Sequence, residues 1–482
     1  MDSAVRASAR LLAGVFVLAL IPRLTLAIVY RDAPLGLDDM LQYDMLARSL
    51  LAGNGYRWYD RADVEQLQPY LRSMGVTILP SQVPPQGLLT TFRAPGYPLF
   101  LAAVYGVVGL AKRVETVRIL QAVFTALLAP LTTLLALRID LTKRAAALAG
   151  AAVGLYPILW MYPLGLASED LFIPLVLLSV LALLWAAESR AWVGTCAAGL
   201  ALGAATLTRG AFGLFLPVAA IWLWRNAHLR LAGLLTIVAT AMILPWSIRN
   251  SILLGRPSFV ENSAAYNLFV GYHPQGDGGF VTTVATQPLR FLDDGQRDRW
   301  AMAQATGFIL ADPARDLDLS LRRLAYFWGP EDREMLYFYS NDFFGAIPQP
   351  WLAAAYLVLV LPLALIGLAA PLGMAASPPH PARSLILGLV VASLLAYVPI
   401  LSEPRFHLPL VPFLAVYAGA AWTATGQGSR MVDGLRRGHL GWWLALASVV
   451  ALLALWGWDW ARELPRLLSV MRPGGHVLYL DY

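Results

Sequence analysis

The sequence predicts an all-α, polytopic membrane protein with about eleven transmembrane helices and two long external loops. Three observations carry that prediction. Hydrophobic residues make up 58% of the 482-residue chain and charged residues only 14%, whereas a soluble domain carries about a quarter charged residues. Mean hydropathy is +0.60. Apolar runs of about the 20 residues that a helix needs to cross the hydrocarbon core recur along the chain.

Runs suited to spans lie at about 11–30, 118–137, 145–163, 171–187, 192–207, 211–225, 231–247, 350–372, 384–401, 408–424 and 440–458. The first follows Arg6 and Arg10 and has no convincing small-residue cleavage site, so it is expected to be an uncleaved span. A further run, Gly96 to Leu110, is short and headed by Pro95 and Pro98; taken as a helix lying in the interface, it lets every later loop alternate. The short loops on one side then hold Arg6, Arg10, Arg138, Lys143, Arg144, Arg190, Arg225, Arg230, Arg383, Arg430, Arg436 and Arg437. Those on the other side hold Arg209 and Arg405. Basic residues mark cytoplasmic loops, so the N-terminus is expected in the cytoplasm and the long loops, about 31–117 and 248–349, outside.

Both loops are too large and too apolar to be linkers. In the first, Met40, Tyr43, Ala47 and Leu50 recur at helical spacing and Gly53-Asn54-Gly55 ends the run, which predicts an amphipathic helix over Asp39–Ala52. In the second, Gln296–Trp328 holds two helical stretches divided by Asp312-Pro313, and Gly271–Gly279 reads as irregular. No internal repeat is visible, which weakens a transporter reading. Residues 1–424 are expected to form one transmembrane module, and 425–482 the last span with an external tail.

Charge excludes some partners. The net +6 is explained by basic cytoplasmic loops, and no Lys/Arg run of the nucleic-acid kind occurs. A single cysteine, Cys196, allows neither an intrachain disulfide nor a thiol metal site.

Ionisable groups near the bilayer are costly and point to function. With the topology set, they gather at the outer ends of separate spans: Asp38 and Asp39, Glu169 and Asp170, Arg209, Arg249 and Asn250, then Glu403, Arg405 and His407. Each also has a plainer role open to it. Asp38 suits a helix N-cap, Asp39 a dipole partner, and Glu169-Asp170 a cap with a first-turn acid. Arg209 and Arg405 could snorkel to headgroups, Arg23 pairs within the bundle or snorkels, and Gly199-x-x-x-Gly203 packs helices. Taken together, the set suits transfer at a lipid phosphate: a carboxylate as general base and guanidiniums pairing with phosphate oxygens.

These residues fall in an ordered series. Asp39-x3-Tyr43-x3-Ala47 comes first, then Arg93-Ala-Pro-Gly-Tyr-Pro98, Arg118-x2-Gln121, Ser168-Glu169, Leu207-Thr-Arg209, Pro245-Trp-Ser-Ile-Arg-Asn250 and Arg405-Phe-His-Leu-Pro409. The series resembles the GT-C superfamily of polyprenyl-phosphate-sugar-dependent glycosyltransferases. The similar branch is the bacterial relatives of protein O-mannosyltransferases, aminoarabinose transferases and lipopolysaccharide galacturonosyltransferases. The resemblance implies that a first-loop acid is the catalytic base. The Tyr43 and Ala47 spacing puts that role on Asp39, with Asp38 the alternative. It implies that Glu169 is a second acid near the acceptor or sugar and that Arg209 and Arg405 contact the donor phosphate, with Arg93 and Arg249 beside them. Tyr43, Asp170, Asn250 and His407 are expected to line the substrate site; relatives often carry Arg where His407 stands.

The expected activity is inverting transfer of one sugar from a polyprenyl-phosphate donor, with undecaprenyl as the carrier, to a hydroxyl on a glycan, lipid or protein. No cofactor is required, although Asp38, Asp39 and Glu169 could hold a divalent metal. The alternatives are a lipid-linked glycan ligase or polymerase using a diphosphate donor, and a flippase for lipid-linked sugar.

Overall fold

A computed structural model of the chain describes residues 2–36, 39–73, 76–331, 333, 339, 347–424 and 427–470. Asp38 and the tail beyond residue 470 lie outside the described residues. The protein is a bundle of helices with two loop regions packed against one end.

Helix α1 (Asp2–Val29) is followed by the first long loop. That loop carries α2 (Asp39–Leu51), α3 (Arg61–Ser73), α4 (Gly96–Val108) and a two-residue antiparallel pair, Arg57–Trp58 with Leu88–Leu89. Next come α5 (Arg113–Ala126), α6 (Leu128–Arg138), α7 (Lys143–Gly154), α8 (Ile158–Met161), α9 (Glu169–Ser189), α10 (Trp192–Thr208), α11 (Phe215–Asn226) and α12 (Leu229–Leu254). The second long loop holds α13 (Ala264–Tyr272), α14 (Thr282–Ala285), α15 (Asp294–Ala311) and α16 (Arg315–Phe327). The chain returns to the bundle through α17 (Gln349–Ala376), α18 (Ala382–Tyr397), α19 (Val411–Thr423), α20 (Gln427–Arg436) and α21 (Leu440–Val470).

Every one of the apolar runs coincides with helix, but not all are long. Among the described residues seven helices are long and apolar enough to cross a membrane, or eight if α7 and the Ile158–Leu164 turn, bent by 55°, form one broken span. Helices α10, α11 and α18 are shorter. The Gly96 run forms a 13-residue helix, α4. It buries Tyr97, Leu101 and Tyr105 against Met40, Tyr43 and Ala47 of α2. The two divided stretches of the second loop are α15 and α16, on either side of Asp312-Pro313.

Buried polar residues hold the irregular parts in place. At the broken span Pro157 cannot donate a backbone hydrogen bond, and the last carbonyls of α7 are left over. Arg23 of α1 donates to Gly154 O (2.7 Å) and Val153 O (3.2 Å), and to Ala19 O in its own helix (2.8 Å). Arg118 on α5 donates to Leu164 O (2.6 Å), Arg31 O (2.6 Å) and Ala33 O (2.8 Å), joining the end of α1 to the turn before α9. Gln121, one turn on, donates to Gly165 O (2.8 Å) and Pro163 O (3.2 Å) and accepts from the Tyr97 hydroxyl. The Arg118-x2-Gln121 pattern is therefore scaffold: it fixes the turn that delivers Ser168-Glu169.

The long loops are fastened to each other. Asp294, at the start of α15, accepts from the Thr91 backbone N–H (2.6 Å) and the Thr90 hydroxyl (2.8 Å) of the first loop, and pairs with Arg297. The Asn262 backbone N–H donates to Thr91 O (2.9 Å).

Candidate active site

Asp39 opens α2, with Tyr43 and Ala47 below it on the face buried against α4. Its carboxylate pairs with Arg93 through one oxygen and lies 3.5 Å from Arg405 through the other. Burial pushes the Asp39 carboxyl up, but the Arg93, Arg405 and Arg209 guanidiniums outweigh it and hold the group below the ordinary carboxylate range. The side chain keeps 28% exposure, so the pair is reachable from solvent.

Arg93 is held from two sides besides Asp39. Its Nε donates to Gln42 Oε1 (2.8 Å), and its guanidinium lies over the Phe92 ring at 5.1 Å and the Tyr43 ring at 5.5 Å. Arg209 follows the last residue of α10 and pairs with Glu169 at 3.1 Å. Arg209 and Arg405 share the Phe406 ring, at 5.7 and 5.6 Å, and Phe406 stacks on Tyr397 (4.1 Å, 18°). Three guanidiniums from three distant parts of the chain thus meet around Asp39 and Glu169.

Glycine makes one of these approaches possible. A Cβ on Gly96 would lie 2.7 Å from Thr208 Oγ1 and 2.9 Å from Leu207 O. The start of α4 therefore sits directly on the end of α10, and this contact sets Arg93 beside Arg209.

From the Arg209 and Phe406 side an apolar groove runs between α9, the turn at Gly210–Leu214 and α18. Its walls include Phe172, Phe212, Phe215, Leu389, Tyr397 and Phe406.

Comparison with known proteins bears on this arrangement. Residues 109–267, a third of the chain, match the model of the family described as dolichyl-phosphate-mannose-protein mannosyltransferase. Over that stretch the chain is similar to this family of glycosyltransferases. Among curated proteins no sequence matches this chain. Two solved structures are similar in outline. One is the Archaeoglobus fulgidus oligosaccharyltransferase in its apo form, with 15% identity and a TM-score of 0.49, over 92% of this chain and 56% of that one. The other is ArnT from Cupriavidus metallidurans bound to undecaprenyl phosphate, with 16% identity and a TM-score of 0.47, over 98% and 74%. The chain spans little more than half the length of that oligosaccharyltransferase.

Of the residues singled out from the sequence, Asp39, Tyr43, Arg93, Glu169, Arg209 and Arg405 come together. Others sit beneath or beside the cluster. Asp170 is buried, with neither carboxylate oxygen hydrogen-bonded among the described residues. His407 is fully buried, its ring nitrogens 2.8 Å from Phe327 O and 3.2 Å from Glu331; it anchors the Arg405 turn from behind. Arg249 donates to Thr90 O (2.8 Å) and lies over Trp246 and Tyr56. Asn250 is buried and donates to Val260 O (2.9 Å).

One acid in the site carries no motif in the sequence. Glu261, in the second loop, accepts from the Gly210 backbone N–H at 3.1 Å and faces both Arg93 and Arg209. Its only sequence signal is a lone acid after the apolar Phe259-Val260.

Proposed function

We propose that the protein transfers one sugar from a polyprenyl-phosphate donor to an acceptor hydroxyl on the outer face of a bacterial inner membrane, with inversion. The observation that carries this reading is the convergence of Arg93, Arg209 and Arg405 around Asp39 and Glu169, with Arg209 lying over Phe172 and Phe406 of the apolar groove. A lipid monophosphate has the same two-part character, an anionic head and an apolar tail. The description of the matched family, which names a dolichyl-phosphate sugar, supports a monophosphate carrier.

In the proposed reaction the Asp39 carboxylate takes the proton of the acceptor hydroxyl as its oxygen attacks the anomeric carbon. The carbon–oxygen bond to phosphate breaks, and its electron pair goes to the phosphate oxygen, which leaves as polyprenyl phosphate. One displacement inverts the anomeric centre. Arg209 and Arg405 meet the growing charge on the leaving oxygen, where fixed donors stabilise the transition state most. Arg93 and Arg405 are paired with Asp39 in the structure. A donor phosphate competes for them, and the carboxylate is then free to act as base. Glu169, paired with Arg209, orients that guanidinium and faces the sugar or acceptor. No cofactor takes part in this scheme.

The test is transfer by purified protein in nanodiscs, with a panel of polyprenyl-monophosphate and polyprenyl-diphosphate sugars and an envelope extract as acceptor. Acceptor-dependent release of polyprenyl phosphate is expected. Asp39→Asn is expected to lower the rate by about 10²–10⁴, the usual worth of a general base. Turnover of diphosphate donors only would favour the ligase reading, and sugar-lipid translocation without a new glycosidic bond the flippase.

A further inference from the structure

We propose that Glu261 is a positioning residue that sets the spacing of Arg93 and Arg209 for a single phosphate. The inference rests on the donor reading above and deepens it. The two arginines belong to segments far apart in sequence, and both are followed by a small residue, Ala94 and Gly210. The Glu261 carboxylate accepts from the Gly210 backbone N–H at 3.1 Å, and Val260, the residue before it, shares a buried cluster with Ala94. Residues 260 and 261 therefore bring together the two segments at the position directly after each arginine. Gly210 is suited to this, because a Cβ there would lie 3.1 Å from Glu261 Oε1. Burial pushes the Glu261 carboxyl up, while Arg209, Arg93 and the Gly210 backbone N–H act the other way.

The segment that delivers Glu261 is itself fixed. Val260 O accepts from the Trp246 indole (3.0 Å) and from Asn250 Nδ2 (2.9 Å), and the next residue but one, Asn262, donates its backbone N–H to Thr91 O (2.9 Å). Trp246 and Asn250 belong to Pro245-Trp-Ser-Ile-Arg-Asn250, at the end of α12. The motif thus acts at one remove, since its side chains hold the backbone on which Glu261 stands.

Affinity for undecaprenyl phosphate tests the assignment, measured on the full chain in nanodiscs for wild type, Glu261→Ala and Glu261→Gln, with thermal unfolding of each. Alanine removes both acceptors; glutamine keeps a carbonyl oxygen for Gly210 and loses the charge. Expected are a weakening of about tenfold or more for alanine, the equivalent of one charged hydrogen bond, and rescue to within about threefold by glutamine, with unfolding midpoints unchanged. If alanine fails to fold, Glu261→Asp takes its place: its shorter side chain draws the acceptor away from the Gly210 N–H, and a weakening that glutamine does not show supports the assignment. Folded variants that bind as wild type, or a glutamine variant as weak as alanine, would overturn it while leaving the donor reading intact. Wild type that binds no undecaprenyl phosphate would instead remove the donor reading, and this inference with it.

Discussion

Asp39 is ionised by its neighbours rather than by water. Because its folded carboxyl lies below the ordinary value, the charge and its ion pairs are fully present above about pH 4, and are lost as pH falls through the depressed value. The pH profile of kcat/KM is therefore expected to show no acid limb between about pH 5 and 8. An acid limb near neutrality that Asp39→Asn abolishes would mean that the carboxyl is raised, not lowered, and the ion-pair account would fail. Arg209→Ala is expected to cost about 10²–10³ in kcat, the range for a lost transition-state donor; a rate unchanged by the substitution would remove Arg209 from the leaving-group role. At this scale the sequence was informative where a charge breaks an apolar context, as at Asp39, Glu169, Arg209 and Arg405. It was silent about Glu261, which acts through a backbone N–H, that of Gly210, that no motif announces. It also gave His407 and Asn250 no hint of depth: both are polar and both are fully buried.

Helices here are placed by polar pins as much as by apolar faces. The α2 pattern was legible because Met40, Tyr43 and Ala47 recur at helical spacing and face α4, and because Gly53 and Gly55 adopt positive φ where the helix stops. The division of the second loop into α15 and α16 was legible because Asp-Pro breaks a helix. The roles of Arg118 and Gln121 were not, since their partners are carbonyls of Leu164, Pro163 and Gly165, and any sequence supplies carbonyls. The contact of α4 with α10 gives the sharpest test at this scale. Gly96→Ala must displace backbone, because the added carbon meets Leu207 O and Thr208. The expected result is a loss of about 1–3 kcal/mol in stability, as for other overpacked sites, together with weaker binding of polyprenyl phosphate as Arg93 moves from Arg209. Native phosphate affinity in that variant would show that the two arginines act independently.

The molecule as a whole is a membrane bundle whose two long loops close over one end. Hydropathy foretold the bundle, but length is not written in a hydropathy run. Helices α10, α11 and α18 are short, and α7 breaks before Pro157, so seven or eight helices have full spanning length among the described residues. Arg23 shows what the break demands. Its guanidinium serves carbonyls of α7 at the bend, and Arg23→Leu is expected to lower the detergent unfolding midpoint by the equivalent of about 2 kcal/mol, with Arg23→Lys intermediate. Equal stability of the three proteins would show that the bend needs no external donor.

That pairing also bears on how the protein is made. Arg23 emerges from the ribosome 131 residues before Gly154, the farthest of the carbonyls it serves. An arginine inside a lone helix costs about 2.5–3.5 kcal/mol at the centre of the bilayer, so in the interval the first span is best placed with its charge still near a headgroup. Its guanidinium can meet Val153 O and Gly154 O only once those residues have been made. The polar partners of the first span are thus completed by a segment translated much later.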